Sequence, residues 1–344
     1  MEQSGSGQQQ RVAAAARRGE ESAFRELIAP WQPELQAHCY RMLASAPEAE
    51  DVVQEVLLRA WRGLARFEER SSLRTWLYRI ANNASLDAIE RRSKRGLPVE
   101  YGVSKERRGP EADPLWIGPY PDELLGVEDA QAAPHARYEQ RESIELAFVA
   151  ALQHLSGRQR AALLMRDVLG FSARECAETL ETTTAAVNSA LQHARARLSE
   201  RLPERSQQMT LRSLGDERVR DLATRYSEAL EQGDVDTMVA LLTEDATWSM
   251  PPTERWYRGR QAIVEFLVAE PFSVRWRHLP ARANGQLAFG WYRRDETRDT
   301  YVAEVLEVLS LRGERVSAVT AFIGGDSFGR FGLPGELADE EETP

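Results

Sequence analysis

Six prolines lie between two stretches of helical periodicity and limit this chain to a fold made of separate parts. Proline lacks the backbone N–H that a helix interior or a central strand needs, so a cluster of prolines disfavours both kinds of element. The six share their segment with glycines and many acids, and they are Pro98, Pro110, Pro114, Pro119, Pro121 and Pro134. We therefore expect residues 97–138 to form an extended linker.

Both sides of this linker show the apolar spacing of amphipathic helices. Before it, apolar residues recur at three- and four-residue steps along Phe24, Leu27, Ile28, Trp31 and Leu35. After it, helical spacing returns from about residue 138 to about residue 202. Since these steps place apolar side chains on one helix face, we expect two all-α helical domains.

The chain changes character after residue 210. A predicted helix over Val219–Glu231 is followed by strand-like alternation in Phe289–Arg293, Tyr301–Leu311 and Arg315–Ile323. This order is typical of an α+β domain, and we expect a curved antiparallel sheet. The predicted organisation is a disordered tail at 1–10, helical domains at 11–96 and 139–205 joined by the linker at 97–138, an α+β domain at 216–331 and an acidic tail at 332–344.

The charge of the chain is unevenly distributed. The net charge of −10 argues against nucleic-acid binding, but residues 1–210 carry only about −2 and residues 211–344 about −8. A basic cluster lies in the first part and consists of Arg91, Arg92, Lys94 and Arg95. Local basic patches can bind nucleic acid although the whole chain is acidic.

Targeting signals and metal-ligand patterns are lacking in the sequence. No apolar run is long enough to span a membrane, and the N-terminus lacks the basic-then-apolar pattern of a signal peptide. The two cysteines, Cys39 and Cys176, stand apart and have no metal-ligand spacing around them. We expect a cytoplasmic protein that binds no metal, no other cofactor and no membrane.

The second helical domain ends with the pattern of a helix-turn-helix. Ser172 and Glu175 have capping-box spacing and predict a short helix, which a three-residue turn separates from a second helix starting at Thr184. Small and hydrogen-bonding side chains on the outer face suit the reading of base edges in the major groove. The candidates are Arg174, Thr184, Ala185, Asn188, Ser189, Gln192 and Arg195. From the residues alone, an ordinary helical hairpin with a solvated polar face stays open.

A resemblance to a known family is carried by Leu155 to Leu198, which read LSGRQRAALLMRDVLGFSARECAETLETTTAAVNSALQHARARL. This segment resembles the fourth region of sigma-70 family sigma factors, and its end is close to an extracytoplasmic-function subgroup. The resemblance implies that the second helix reads the minus-thirty-five promoter element and that the domain binds the β flap of RNA polymerase. Glu181 departs from the family pattern, which usually has glycine in the turn. We expect Glu181 either to adopt a positive φ at modest cost or to reshape the turn.

Residues Phe24 to Arg92 resemble the second region of the same family, through AEDVVQEVLLRAWRGL and SSLRTWLYRIANNASLDAIERR. The resemblance implies that the first of these helices binds the β′ clamp helices of the core polymerase through Asp51, Gln54, Glu55, Leu58 and Trp61. It implies that the next helix binds and melts the minus-ten element, which requires stacking on and hydrogen bonding to unpaired bases. The candidates there are Trp76, Arg79, Asn82, Asn83, Asp87, Arg91 and Arg92. By residue type alone, a solvated first helix and a core position for the tryptophan of the second stay open.

The linker carries a signal of its own. Trp116–Pro121 reads WIGPYP, which is apolar for a linker and predicts a docking peptide. It resembles the linker signature of the subgroup with a fused C-terminal domain. In related complexes the linker threads the RNA exit path, and acids such as Asp122 and Glu123 suit a channel built for RNA. The same acids can equally keep the linker extended and soluble.

Residues 216–331 resemble the SnoaL-like, ketosteroid-isomerase-like cone fold through YSEALEQGDVDTMVALLTEDATWSMPP and WYRGRQAIVEFL. The fold surrounds an apolar pocket, for which the candidates are Trp248, Trp256, Trp276, His278, Trp291 and Tyr301. His278 has Asp245, Glu304 and Glu307 as candidate partners, but no recognisable catalytic dyad emerges. We therefore expect no enzyme, while ligand sensing and protein docking stay open.

These patterns predict a transcription initiation factor that binds core RNA polymerase and promoter DNA. Related fused sigma factors imply that the C-terminal domain controls the opening of the helical domains in cis, as a separate anti-sigma factor does elsewhere. Two alternatives remain at this stage. The chain can be a stand-alone helix-turn-helix regulator, or its C-terminal domain can be a small-molecule sensor or enzyme.

Overall fold

The computed structural model describes residues 11–68, 71–91, 95–96, 115–125 and 141–338. The chain divides into two compact units, of which the first takes Met1–Ser93, Leu124–Gln131 and Ala151–Leu202, and the second takes Lys94–Glu123, Ala132–Ala150 and Pro203–Pro344. The predicted tail at 1–10, most of the linker and the end of the acidic tail lie outside the described residues. Within the described ranges, no helix has the length and apolarity that a membrane span requires.

The first unit is helical, as the apolar spacing predicts. Residues 11–17 are helical, and they precede α1 (Glu21–Ile28), α2 (Gln32–Leu43), α3 (Ala46–Leu64) and α4 (Leu73–Glu90). The second part follows with the last residues of α5 (Leu146–Leu152), then α6 (Gly157–Leu163), a π-helical turn at Leu164–Val168, α7 (Ala173–Thr179) and α8 (Thr184–Ser199). Hydroxyl side chains cap the helix starts: Ser72 accepts from the Thr75 N–H at 3.0 Å, and Thr183 accepts from the Ala186 N–H at 3.1 Å.

Helix α4 packs against the second helical part of the same unit. Gly157 permits a close approach, because a Cβ there would lie 2.7 Å from the Leu86 side chain. Arg74 lies with its guanidinium 4.5 Å from the ring centroid of Phe171 and donates to the Leu169 carbonyl at 3.1 Å. The two helical parts are therefore in direct contact, although a long Pro-rich segment separates them in sequence.

The second unit is an α+β domain. Its helices are α9 (Gln207–Leu214), α10 (Asp216–Gln232), α11 (Val235–Leu241) and α12 (Arg260–Ala269). Its strands are the short parallel pair β1 (Arg95–Gly96) and β2 (Leu115–Trp116), then β3 (Leu242–Ser249), β4 (Trp256–Arg258), β5 (Trp276–Ala283), β6 (Gln286–Asp295), β7 (Thr300–Arg312), β8 (Arg315–Ile323) and β9 (Glu336–Ala338). The main sheet has the order β4-β3-β8-β7-β6-β5, with β9 added on β7. Register shifts at Trp291/Tyr292 and Ser310/Leu311 interrupt its ladders, and irregularities of this kind curve a sheet.

Two expectations for this unit are wrong. The sheet is not antiparallel throughout, because β3 pairs with β8 in parallel. Four strands and the helix α12 separate β3 from β8 in the chain. Alternation within one segment carries no information about the direction in which such distant strands pair. The folded domain also continues past residue 331, since β9 pairs with Thr300–Val302. Sequence reasoning missed the strands β1 to β5 and β9.

The turn between α7 and α8 has the positive φ that the family's usual glycine suggests. Glu181 has a φ of 50°, which L-residues adopt at a cost of about 1 kcal/mol or more. Its carboxylate accepts from Arg79 of α4 at 2.5 Å, and both side chains are more than half exposed. An exposed ion pair contributes at most about 1 kcal/mol, so the contact only partly offsets the backbone cost.

Substitutions of Glu181 separate the cost of its positive φ from the contribution of its ion pair with Arg79. We expect Glu181→Gly to have a free energy of unfolding about 1 kcal/mol higher than Glu181→Gln, because both variants lose the carboxylate but only glycine accepts a positive φ without strain. Urea unfolding of the full chain, followed by the signal of its helices, measures the difference. Equal stability of the two variants would mean that the turn is unstrained.

Candidate nucleic-acid interface and C-terminal pocket

Helix α8 presents the outer face that the sequence predicts. Its apolar seam of Val187, Leu191, Ala194 and Leu198 is buried. The predicted contact residues are exposed, and they are Arg174 on α7 and Thr184, Ala185, Asn188, Ser189, Gln192 and Arg195 on α8. Small side chains lie at the start of the helix and longer donors further along, which suits insertion of its N-terminal part into a major groove.

The arginines of this face are engaged by carboxylates of their own domain. Arg195 binds Asp167 through two hydrogen bonds of 2.6 and 2.9 Å, and this pair raises the pKa of Arg195. Arg174 binds Glu178 at 2.9 Å. Such exposed pairs are weak, so a phosphate or a base edge can replace the carboxylates at little cost.

Helix α4 exposes part of the predicted minus-ten face. Asn83, Asp87 and Arg91 are exposed. Asp87 lies 3.5 Å from Arg59 of α3, and Arg91 donates to the Asp87 carbonyl at 2.9 Å. Arg79 is exposed as well, but the carboxylate of the α7–α8 turn binds its guanidinium. Arg92 lies outside the described residues.

Asn82 corrects the prediction. Its side chain has no exposed surface, and its amide donates to the Tyr78 carbonyl at 2.8 Å and lies 3.4 Å from the Met165 sulfur. Its carbonyl oxygen lies 3.2 Å from Nε2 of His38, whose pKa burial lowers to about 3. Neighbouring residues on a helix point about 100° apart, so Asn83 faces outward while Asn82 joins the core. In this structure Asn82 is not accessible to DNA.

Trp76 is half-buried rather than free to stack on a base. Its ring centroid lies 4.9 Å from that of Phe67. A Cβ on Gly63 of α3 would lie 3.1 Å from the same indole. These contacts favour the packing role that the residue type left open.

The predicted polymerase-binding face of α3 is largely exposed. Asp51, Gln54 and Glu55 surround Leu58, an apolar side chain that is 50 % exposed. Trp61 is half-buried and meets the ring of Phe24 edge-on at 5.0 Å. A single exposed leucine is common on protein surfaces, so the contact of this face with core polymerase stays a prediction.

The C-terminal domain contains a cavity of about 350 Å³. Three of the predicted residues line it: Trp248, Trp276 and Trp291. The expectation is wrong for the other three, which do not belong to its lining. Trp256 lies on the edge strand β4 beneath Arg258, His278 turns to Glu231 of α10 at 2.5 Å, and Tyr301 packs under Arg277 and Arg294.

Glu307 lies in the lining of this cavity and is 4 % exposed. Its Oε2 accepts from the Tyr226 hydroxyl at 2.9 Å and from the Trp291 indole N–H at 2.8 Å. Burial raises its pKa to about 7, although both hydrogen bonds act in the opposite direction. Sequence reasoning considered this residue only as a partner of His278, yet a lone acid within the apolar run VLEVL of β7 was a usable signal.

The predicted docking peptide of the linker packs on the turn between β5 and β6. Ile117 and Tyr120 are fully buried. Asn284, which has a φ of 57° in that turn, exchanges hydrogen bonds with the Tyr120 backbone and donates to the Ile144 carbonyl at 2.7 Å. The Gly285 N–H donates to Asp122 at 2.7 Å. Asn284 therefore binds the chain at two places, at Tyr120 within the linker and at Ile144 after it.

Comparison with known families and proteins agrees with these features. Family models match residues 27–95 (Sigma-70 region 2), 145–198 (Sigma-70, region 4) and 223–319 (SnoaL-like domain). The chain is 43 % identical to the ECF RNA polymerase sigma factor SigG of Mycobacterium tuberculosis, over 95 % of this chain and 87 % of the relative. It is 25 % identical to SigJ of the same organism over 68 % of this chain and 69 % of that protein. The crystal structure of SigJ is similar in fold, with a TM-score of 0.59, 23 % identity and coverage of 92 % of this chain and all of that one.

Proposed function

Because the chain belongs to the extracytoplasmic-function RNA polymerase sigma factors, we propose that it binds core polymerase in the cytoplasm and directs it to specific promoters. Helix α3 binds the β′ clamp helices, α4 the minus-ten element and α8 the minus-thirty-five element, while the second helical domain binds the β flap. The single observation that carries this assignment is the exposed polar face of α8 opposite its buried apolar seam. The C-terminal domain regulates this activity and catalyses no reaction.

The described arrangement of the helical parts is a closed state. The two promoter elements lie about 25 base pairs apart, which is roughly 85 Å along B-form DNA. Helix α8 is 16 residues long, about 24 Å at 1.5 Å per residue. The ion pair between Arg79 of α4 and Glu181, in the turn before α8, cannot persist when α4 binds the minus-ten element and α8 binds the minus-thirty-five element. Initiation therefore requires the two helical parts to separate.

Separation exposes groups that the closed state covers. Arg79 leaves its carboxylate partner, and the surface around Asn82 loses the Met165 sulfur. The guanidinium of Arg74 also leaves the Phe171 ring. Each of these contacts is individually weak, so the polymerase and the promoter together can supply the few kcal/mol that a population shift of this kind requires.

The C-terminal domain restrains this opening by holding the linker. The support is the packing of the linker peptide on Asn284 and Gly285, with Ile117 and Tyr120 buried. A linker held at this turn has less freedom to extend between the separated helical parts. A small molecule in the cavity would give the domain a sensing role, because ligand binding can bias such an equilibrium.

Run-off transcription with purified core polymerase and selected promoters tests the sigma assignment. We expect the full chain to initiate and Asn83→Ala and Arg195→Ala to weaken promoter binding roughly 5- to 150-fold, since a specific base contact contributes about 1–3 kcal/mol. The matched control is Arg218→Ala, which removes an exposed, carboxylate-paired arginine of the C-terminal domain. A chain that binds promoter DNA tightly without core polymerase and never initiates would support the stand-alone regulator instead.

The linker restraint is tested by Asn284→Gly. Glycine keeps the positive φ of the turn but deletes the side-chain bonds to Tyr120 and Ile144. At a net value of about 1 kcal/mol for each of the two hydrogen bonds, we expect up to roughly 30-fold more open molecules and a higher run-off yield at limiting core polymerase.

The control for this variant is Asp299→Gly, which changes a residue of similar φ in the β6–β7 turn, away from the linker peptide. It should leave the yield unchanged. A yield that falls in Asn284→Gly would mean that the C-terminal domain is a required part of the initiation machinery and not a restraint.

A further inference from the structure

Aromatic side chains line much of the cavity in the C-terminal domain. The side chains of Trp248, Phe266, Trp276 and Trp291 line it, and its volume is about 350 Å³. This volume lies at the lower end of the range for small-molecule sites, which combine apolar walls with a few polar groups. The chemistry of those few polar groups decides which ligand fits.

The most buried of these polar groups is one carboxylate with an unused oxygen. Both protein donors to Glu307, Tyr226 and Trp291, bind the same atom, Oε2. Among the described residues, none donates a hydrogen bond to Oε1. Oε1 is therefore available to accept a hydrogen bond from a ligand, and a hydrogen bond to a charged group is stronger than one between neutral groups.

The charges of the lining leave this carboxylate without a cation. Arg255 is bound by Glu270 and Arg293 by Glu304, so each arginine of the lining already has an acidic partner. The lining holds these two arginines and three glutamates, and the unmatched negative charge is that of Glu307. The faces of the surrounding rings are also electron-rich and attract cations.

We propose that this cavity binds an organic cation, a protonated amine on a small apolar body, whose N–H donates to Oε1 of Glu307. The inference deepens the proposed sensing role of the C-terminal domain. A neutral alcohol can supply the hydrogen bond but not the positive charge. An anion of the same size meets an uncompensated carboxylate and is repelled.

Ionisation of the same carboxylate makes binding depend on pH. The pKa of Glu307, about 7 in the free protein, means that a cation must displace a proton at lower pH. Affinity for an amine therefore rises as the pH increases through 7 and levels off above it. Other titratable groups also face the cavity or Glu307. The pKa of Glu270 is lowered and that of Tyr226 is strongly raised. The two arginines are ion-paired, Arg255 with Glu270 and Arg293 with Glu304. His278, which touches the Trp291 ring, turns to Glu231.

Isothermal titration calorimetry of the full chain with three probes of equal shape tests the proposal. The probes are tryptamine, its neutral alcohol analogue tryptophol, and the anion indole-3-acetate. We expect the amine to bind at least about tenfold tighter than the alcohol, which corresponds to about 1.4 kcal/mol, and the acid to bind weakest. Equal or tighter binding of the alcohol or the acid would overturn the proposal, and so would the failure of all three to bind at millimolar concentration.

Two variants test whether Glu307 causes the preference for the amine over the alcohol. Glu307→Gln still accepts from Tyr226 and Trp291 but carries no charge, so it should lose the preference for the amine and its pH dependence. Glu314→Gln, on the surface of the same domain, is the matched control and should keep both. If thermal unfolding shows that Glu307→Gln is misfolded, Trp276→Leu replaces it and should weaken the amine more than the alcohol. An unchanged preference in a folded Glu307→Gln would contradict the site.

This test does not depend on transcription. Amine binding without any effect of the amine on run-off yield leaves the site in place and removes the sensing role. Loss of amine binding, with initiation intact, removes the site and leaves the sigma assignment untouched.

Discussion

One buried cation joins the two helical parts of the first unit. Arg160 is 4 % exposed and donates to the carbonyls of Leu152 and Leu155, to the Gln153 side chain and to the carbonyl of Met42 at the end of α2. Burial lowers its pKa to about 10, so it remains charged at neutral pH. A buried charge is tolerated only when its donors are satisfied. Three of the four partners belong to its own helical part, and only Met42 is lost on opening. The cation can therefore stabilise the closed state without preventing the open one.

The contact between the helical parts uses a surface that we propose for promoter recognition. Arg79 lies on the predicted minus-ten helix, and the residue that holds it, Glu181, stands in the helix-turn-helix turn. The family usually has glycine there, so the acid that strains the backbone is also the one that reaches α4. Binding of the minus-ten element and contact between the helical parts are therefore mutually exclusive at this residue. The linker contacts at Asn284 are the second restraint that we propose, and they lie in the C-terminal domain.

Features that follow from local periodicity, such as helix faces, could be predicted from the sequence. Contacts between segments far apart in the chain could not. The outer face of α8 follows from helical spacing alone, and all its candidates are exposed. The burial of Asn82 in the closed state was not foreseen, because residue type does not tell which side of α4 a second helical part covers. The parallel pairing of β3 with β8 and the contact of His278 with Glu231 likewise join segments far apart in the chain. Glu307 was named, but its two donors come from α10 and β6, which no spacing in β7 reveals.

We propose that the free protein is closed and must open to reach a promoter. The most direct measurement is single-molecule energy transfer between dyes on Glu90→Cys in α4 and Ser199→Cys in α8, both exposed positions. The native Cys39 and Cys176 are buried, and burial raises the pKa of the Cys176 thiol to about 11 and that of Cys39 to about 12, so neither competes for the label. We expect one high-transfer population in the free protein and a low-transfer population with core polymerase and promoter DNA. A low-transfer population in the free protein would contradict it.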